Sequence, residues 1–239
     1  MAQYFTDFTE YSTGSQPSDW TNLRDSGGDW TVESDSDGVG DRILLLSGGD
    51  EFSEEVLTWD VASGSDVEIL VKWRQEDSDD TSASRPILRA QGGSNRNHYF
   101  SSIFRDGENQ WIEKYTDDTY SDIGSGGGPD AFSFTSWTWT RFRINGSSLH
   151  SRSWDDGTSE PSDWHVEATD SDHSSGETGL GRRDAGPDLE FDKVGVGTEG
   201  DAAPSEEVGF DITIGGDEVS EITIGGQEVS EVTIDGDEL

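Results

Sequence analysis

The segment Asp35-Ser-Asp37-Gly38-Val-Gly-Asp41 sets three carboxylates around a glycine. Calcium takes oxygen ligands from loops of this kind, so Asp35, Asp37 and Asp41 form a candidate calcium site. The position where an EF-hand supplies its bidentate Glu is Leu46, so the loop is not an EF-hand. An ordinary Asp-Gly turn accounts for the same residues. A second group has the chemistry of sugar recognition: Asn95-Arg96-Asn97-His98-Tyr99, with Trp111, Tyr115 and Tyr120. Aromatic faces stack on sugar rings, and amides and guanidiniums bond to hydroxyls. Asn97, Trp111 and Tyr115 are the ligand-binding candidates, with core packing as the competing explanation for the aromatics. Gly195-x-Gly197-x-x-Gly200 has the spacing of a dinucleotide loop but leads into Asp-Ala-Ala-Pro rather than a helix, so it lacks the means to cradle a phosphate. The four histidines, His98, His150, His165 and His173, show no metal-ligand spacing. No P-loop, HExxH or Gly-x-Ser-x-Gly motif occurs, and the sequon at Asn145 falls in a tight turn.

These residues sit in a chain written in strands. From Trp137 to Thr169 the sequence reads as a three-stranded meander. Its first turn is Asn145-Gly146, a pair suited to positive φ. Its second is the loop carrying Asp155-Asp156-Gly157 and Glu160-Pro161. Further strands are expected at 3–8, 30–33, 42–47, 54–60, 66–75, 86–90, 98–105, 110–115, 120–123, 176–181 and 189–198. In the strand at 66–75, Val67, Ile69, Val71 and Trp73 share one face, with Glu68, Leu70, Lys72 and Arg74 on the other. Loops are expected at 11–26 and 124–129. No segment has an apolar stripe at helical spacing. About a dozen strands with frequent turns predict an all-β fold, a two-sheet antiparallel jelly-roll sandwich with a short C-terminal β-repeat appendage.

Several of these segments also carry a family pattern. It runs Trp137…Arg141-x-Arg143…Asn145-Gly146…Arg152-x-Trp154-x-x-Gly157…Glu160-Pro161-x-x-Trp164. It continues with Gly176-x-x-Gly179-Leu180-Gly181 and Leu189-Glu190-Phe191-Asp192-x-Val194-x-Val196. Phe5-x-Asp7-Phe8 and Pro17-x-x-Trp20 match an opening strand and loop. Over residues 1 to 200 the chain resembles the concanavalin A-like lectin/glucanase (laminin G-like) superfamily. That resemblance implies a jelly roll and a host of functions, among them lectins, adhesins and hydrolases. It also implies a calcium-binding rim in some members. Members that hydrolyse β-glucans carry Glu-x-Asp-x-x-Glu on a strand. Here Glu190-Phe191-Asp192-Lys193-Val194-Gly195 has Gly at the second Glu, so no enzyme is expected.

The 239 residues hold 52 acidic and 15 basic side chains, a net charge of −37. Nine tryptophans and ten phenylalanines in alternating runs speak against disorder. So large a charge repels itself in dilute buffer. At ~1 M salt the Debye length falls to ~3 Å and the repulsion is screened. A halophilic source, an archaeon or its virus, is expected. The charge argues against nucleic acid as a partner. There is no cysteine, hence no disulfide or thiol chemistry. No apolar run approaches the ~20 residues of a membrane span. The first residues have neither a basic nor an apolar region, so no signal peptide is expected.

The composition divides the chain into a lectin-like domain at 1–199, a linker at 200–209 and a repeat segment at 210–239. That segment has a period of ten: Asp211-Ile-Thr-Ile-Gly-Gly, Glu221-Ile-Thr-Ile-Gly-Gly, Glu231-Val-Thr-Ile-Asp-Gly. Ile212, Ile214, Ile222, Ile224, Val232 and Ile234 form an apolar stripe. Three short strands are marginal alone, so the stripe must cover something: the sandwich, another protein or a second copy, in a homo-oligomer such as a trimer. Such repeats look similar to those on structural proteins of haloarchaeal tailed viruses. The expected function is a non-enzymatic virion protein (tail fibre, baseplate or head decoration), released by lysis, that joins other virion proteins and binds a host surface glycan or glycoprotein. A polysaccharide hydrolase and a structural cap without ligand are the alternatives.

Overall fold

In a computed structural model of the chain, the residues described are 2–35, 42–49, 54–77, 84–104, 109–128, 133–183, 187–206, 223–224 and 227–228. The chain separates into two compact units, Met1–Val208 and Gly209–Leu239. Among the described residues the first unit holds fifteen strands and no helix. They are β1 (Ala2–Thr6), β2 (Trp20–Arg24), β3 (Gly28–Ser34), β4 (Arg42–Gly48), β5 (Glu54–Gly64), β6 (Val67–Gln75), β7 (Arg85–Ala90) and β8 (His98–Phe104). There follow β9 (Asn109–Thr116), β10 (Thr119–Gly127), β11 (Thr138–Asn145), β12 (Ser148–Asp155), β13 (Val166–Thr169), β14 (Gly176–Arg183) and β15 (Leu189–Thr198). In the second unit β16 (Thr223–Ile224) pairs with β17 (Gln227–Glu228) across a two-residue connection. Ile212, Ile214, Ile222, Val232 and Ile234 lie outside the described residues.

The strands of the first unit make two antiparallel sheets. The eight-stranded sheet runs β13-β12-β11-β6-β15-β4-β3, with β1 pairing one end of β15. The seven-stranded sheet runs β10-β9-β8-β7-β14-β5-β2. The first half of β15 pairs with β4 through Leu189–Phe191, and its second half with β1 through Val194–Thr198. Between the sheets lies one large apolar cluster. It takes Val67, Ile69, Val71 and Trp73 from β6, the face that alternation selects. Trp20 stacks on Trp59 at 5.1 Å, and Trp30 meets Phe191 at 5.8 Å.

Three local features depart from expectation. The 11–26 stretch contains strand β2, whose Trp20 the core requires. The first meander turn centres on Gly146-Ser147, because Asn145 pairs with Ser148; only Gly146 takes positive φ, 57°, as a II′-type turn needs. Gly124 to Gly127 belong to β10 rather than to a loop. There the glycines serve close approach: a Cβ on Gly126 would stand 1.9 Å from the His165 carbonyl oxygen.

The middle of the outer face of the eight-stranded sheet is covered by the chain itself. After β15 the chain turns at Glu199 and Gly200, both at positive φ, and residues 201–204 return over the sheet. These open the segment read as a linker. Ala203 packs with Leu70 and Trp154, with Trp139 beside them. Its amide donates to Glu68 Oε1 at 3.0 Å, and its carbonyl accepts from Arg141 Nη1 at 3.1 Å. Gly195 and Gly197 make the room, since their Cβ atoms would lie 1.9 Å from Pro204 O and 2.3 Å from Asp201 O. That is the physical role of the Gly195-x-Gly197-x-x-Gly200 spacing.

Candidate functional site

The seven-stranded sheet turns Tyr99, Ile103 and Ile112 into the core. Alternation therefore sends His98, Phe100 and Ser102 of β8, and Trp111, Glu113 and Tyr115 of β9, outward. On β10, Tyr120 lies opposite Tyr115 and Asp122 opposite Glu113. Phe100 stacks on Tyr115 at 5.7 Å, and Tyr120 meets Tyr115 edge-on at 5.7 Å. The Arg85 guanidinium sits 4.2 Å over Phe100, and that of Arg96 4.1 Å over Tyr115. These cations close over the two inner rings. Tyr115 is buried, whereas Tyr120 is 37% exposed and Trp111 half-buried.

Beneath the open ring is a carboxylate network. The Tyr120 hydroxyl bonds to Glu113 Oε1 and Asp122 Oδ1, and Ser102 Oγ donates to Glu113 Oε2. Glu113 is fully buried, with both oxygens held. Burial first, then the Asp122 and Glu113 carboxylates, push the Tyr120 hydroxyl above its ordinary pKa of 10.0. It therefore stays a donor and the ring is locked in place. On the same face Glu54 Oε1 lies 3.2 Å from His98 Nε2 and 4.0 Å from Arg85 Nη1. Burial pushes the Glu54 carboxyl up, but His98 and then Arg85 outweigh it and hold the carboxyl below 4.5.

The β9–β10 turn aims this platform. Asp117 and Asp118 take φ of 48° and 62°, the two left-handed positions of a I′-type turn. Asn97 Oδ1 accepts from the Asp117 amide at 2.8 Å, while Asp118 Oδ1 accepts from Arg96 N at 2.9 Å and Nε at 3.1 Å. Asn97 thus holds the turn, and the turn holds Arg96 over Tyr115. Of the sequence candidates, Trp111 reaches the open surface, while Tyr115 and Asn97 support it. Tyr120 belonged to the sugar-recognition group without being one of the three candidates, and Glu113 and Asp122 were in neither. Period-two reading of Trp111-x-Glu113-x-Tyr115 is the signal that points to Glu113.

The other candidates lie elsewhere. Asp35 Oδ2 accepts from Arg74 Nη2 at 2.8 Å. Asp37 and Asp41 lie outside the described residues, among which no cluster of three acidic, His or Cys side chains could hold a metal. Glu190 and Asp192 sit on the eight-stranded sheet, paired with Arg74 and, at 3.0 Å, with Lys72. Gly195, where a β-glucanase would carry its second Glu, has Pro204 O against it. His98 and His173 are buried, and His150 and His165 are half-buried.

No protein-family model matches the chain, and no curated protein matches it. Solved structures do. Carbohydrate-binding module CBM66 from Bacillus subtilis aligns at TM-score 0.54 and 17% identity, over 77% of this chain and 98% of that one. A β-1,3-1,4-glucanase (lichenase) from a mouse hindgut metagenome aligns at 0.54 and 14%, over 82% and 99%. The exoplasmic/lumenal domain of VIP36, in a Ca2+/Man3GlcNAc-bound form, aligns at 0.51 and 9%, over 77% and 86%. At such identities the likeness is one of fold. The first unit of this chain has the concanavalin A-like, galectin-like jelly-roll fold.

Proposed function

We propose that the chain is a non-enzymatic glycan-binding module whose ligand lies across Trp111 and Tyr120 on the outer face of the seven-stranded sheet. The observation that carries this is the exposed Tyr120 ring, locked by Glu113 and Asp122 on the strand next to Trp111. An exposed Tyr120 ring and a half-buried Trp111, with the exposed Asp122 carboxylate on the same face, suit a sugar, whose C–H faces stack and whose hydroxyls donate. CBM66 and the VIP36 domain, named for carbohydrate binding or solved with an oligosaccharide, support the reading. In its finer form the module is a structural and adhesion protein of a halophilic archaeal tailed virus. There it would meet host surface glycans as a homo-oligomer, with the 210–239 repeats gripping a second copy or another virion protein. The charge of −37 and the ten-residue repeats support that form.

The lichenase likeness gives a hydrolase reading its footing, since Glu113 and Asp122 share one hydroxyl. Glu113 is out of a substrate's reach, however, with both oxygens already bonded. The test is binding to haloarchaeal cells and isolated surface glycoprotein at ~3 M salt, where the charge is screened. Binding that free glycans compete away, and that Trp111→Ala and Tyr120→Ala each weaken at least tenfold, is expected. Binding indifferent to both substitutions overturns the site. Glycan cleavage lost in Asp122→Asn replaces the reading with the hydrolase.

A further inference from the structure

A cleft opens where β12 ends, away from the Trp111–Tyr120 platform. It has a volume of about 410 Å³ and is lined by Gly128, Ser153, Trp154, Asp155, Pro161 and His165, with Thr158 and Ser159 at its loop side. The glycines of β10 explain its place. Gly124 and Gly126 let the β13 segment lie hard against β10, which closes that side of the sandwich. At Gly128 the strand is over, while β12 runs on to Asp155.

Asp155 pairs with Thr138, and Thr138 with Trp73, so its side chain falls on the inner face of the sheet. Its carbonyl accepts from Thr158 N at 3.1 Å and Thr158 Oγ1 at 2.7 Å, which fixes the turn. Its carboxylate Oδ1 is buried and takes no hydrogen bond. The next residue is the contrast. Asp156 accepts from Trp139 Nε1 at 2.8 Å and pairs with Lys72 at 3.1 Å. Of two adjacent acids, one is satisfied by the fold and the other is not. A buried acceptor without a donor is unfavourable, and a ligand that brings a donor relieves it.

We propose that this cleft is a second binding site, for a single neutral sugar unit or similar polyol, with Asp155 accepting a ligand hydroxyl. The volume suits one small ligand. Pro161 offers apolar wall for a C–H face, and Ser159 offers a polar partner beside it. An anion would meet the Asp155 carboxylate in a chain already at −37. The burial that leaves Oδ1 unbonded also pushes the Asp155 carboxyl above its ordinary 3.8, and a donated hydroxyl would bring it back down.

The test is a ¹H–¹⁵N NMR titration of the full chain at high salt with glucose, galactose and mannose, and separately with methylammonium. The expected result is saturable shifts of the Gly128, Thr158 and Ser159 amides with at least one hexose. Asp155→Ala should weaken these at least tenfold. Ser159→Trp, at an exposed position on the rim, should block them with the thermal midpoint unchanged. Tyr120→Ala should leave them in place, which separates this site from the platform. Absence of hexose shifts, shifts with methylammonium alone, or hexose shifts that survive both Asp155→Ala and Ser159→Trp would each overturn the proposal.

Discussion

The two outer faces of the sandwich are built from the same materials and end differently. On the eight-stranded sheet, Glu68, Leu70 and Lys72 of β6 are buried. Residues 201–204 lie over them, and Arg141 joins Glu68 to Glu160. On the seven-stranded sheet, Arg85 and Arg96 cover only Phe100 and Tyr115, and Tyr120 stays open. A polar outer face can thus be a second interior or an open surface. What separates the two is whether the charged groups are consumed by the chain's own return segment. The covered face should govern stability, and the open face binding.

Glu68→Ala tests the covered face most severely. It strips Arg141 and the Ala203 amide of a buried partner, so unfolding free energy should fall by about 3 kcal/mol with glycan binding intact in the folded fraction. A change below the error of a denaturant titration would break the contrast. Gly195→Ala comes next. Its Cβ would stand 1.9 Å from Pro204 O, and displacement of the return segment should cost about 2 kcal/mol, read as a lower thermal midpoint.

Acid should reach the open-face side through His173, which is buried beside β9. Its Nε2–H donates to Tyr115 O at 2.7 Å, and its amide donates to the Tyr99 hydroxyl. Burial, and secondarily His98, hold its pKa below 6.5, and Tyr115 O, Asp172 and Asp170 only partly oppose this. The unfolded chain therefore takes up the proton first. Stability present above pH 6.5 should decline as pH falls below it, by at most about 1.4 kcal/mol per pH unit for one proton. His173→Gln keeps a donor toward Tyr115 O and should remove that slope; a slope that persists assigns it elsewhere. The smallest effect is expected from a chain ended at residue 208, which should keep the thermal midpoint of the full chain at high salt, since the first unit is compact by itself. A fall of several degrees would make the repeats part of the sandwich's stability.

The strands were legible wherever one face is apolar and the turn residues are explicit. β6, β11, β12 and β15 fall where alternation puts them, to within a residue or two, although the turn between β11 and β12 centres on Gly146-Ser147. β2 was hidden among turn residues, because Trp20 is its only deeply buried apolar side chain. The glycines at 124–127 looked flexible because a sequence does not show the backbone pressed against them. The platform was legible in part. The aromatic and amide composition around Asn97, Trp111 and Tyr115 marked β8 and β9, which carry the outer-face aromatic cluster. Which ring stays open depends on where Arg96 lies, and Arg96 is placed by the Asp117-Asp118 turn.

By itself the sequence determined the all-β class, the antiparallel hairpins and the extreme charge. These follow from residue type and periods of two, which are local properties. Only the tertiary structure decided which outer face the return segment covers in its middle, which aromatic is exposed and that Asp155 Oδ1, unlike the Asp156 carboxylate, takes no hydrogen bond. Those outcomes depend on contacts between residues far apart in the chain, such as Pro204 over Gly195 and Lys72 beside Asp156, and no local pattern encodes such distances.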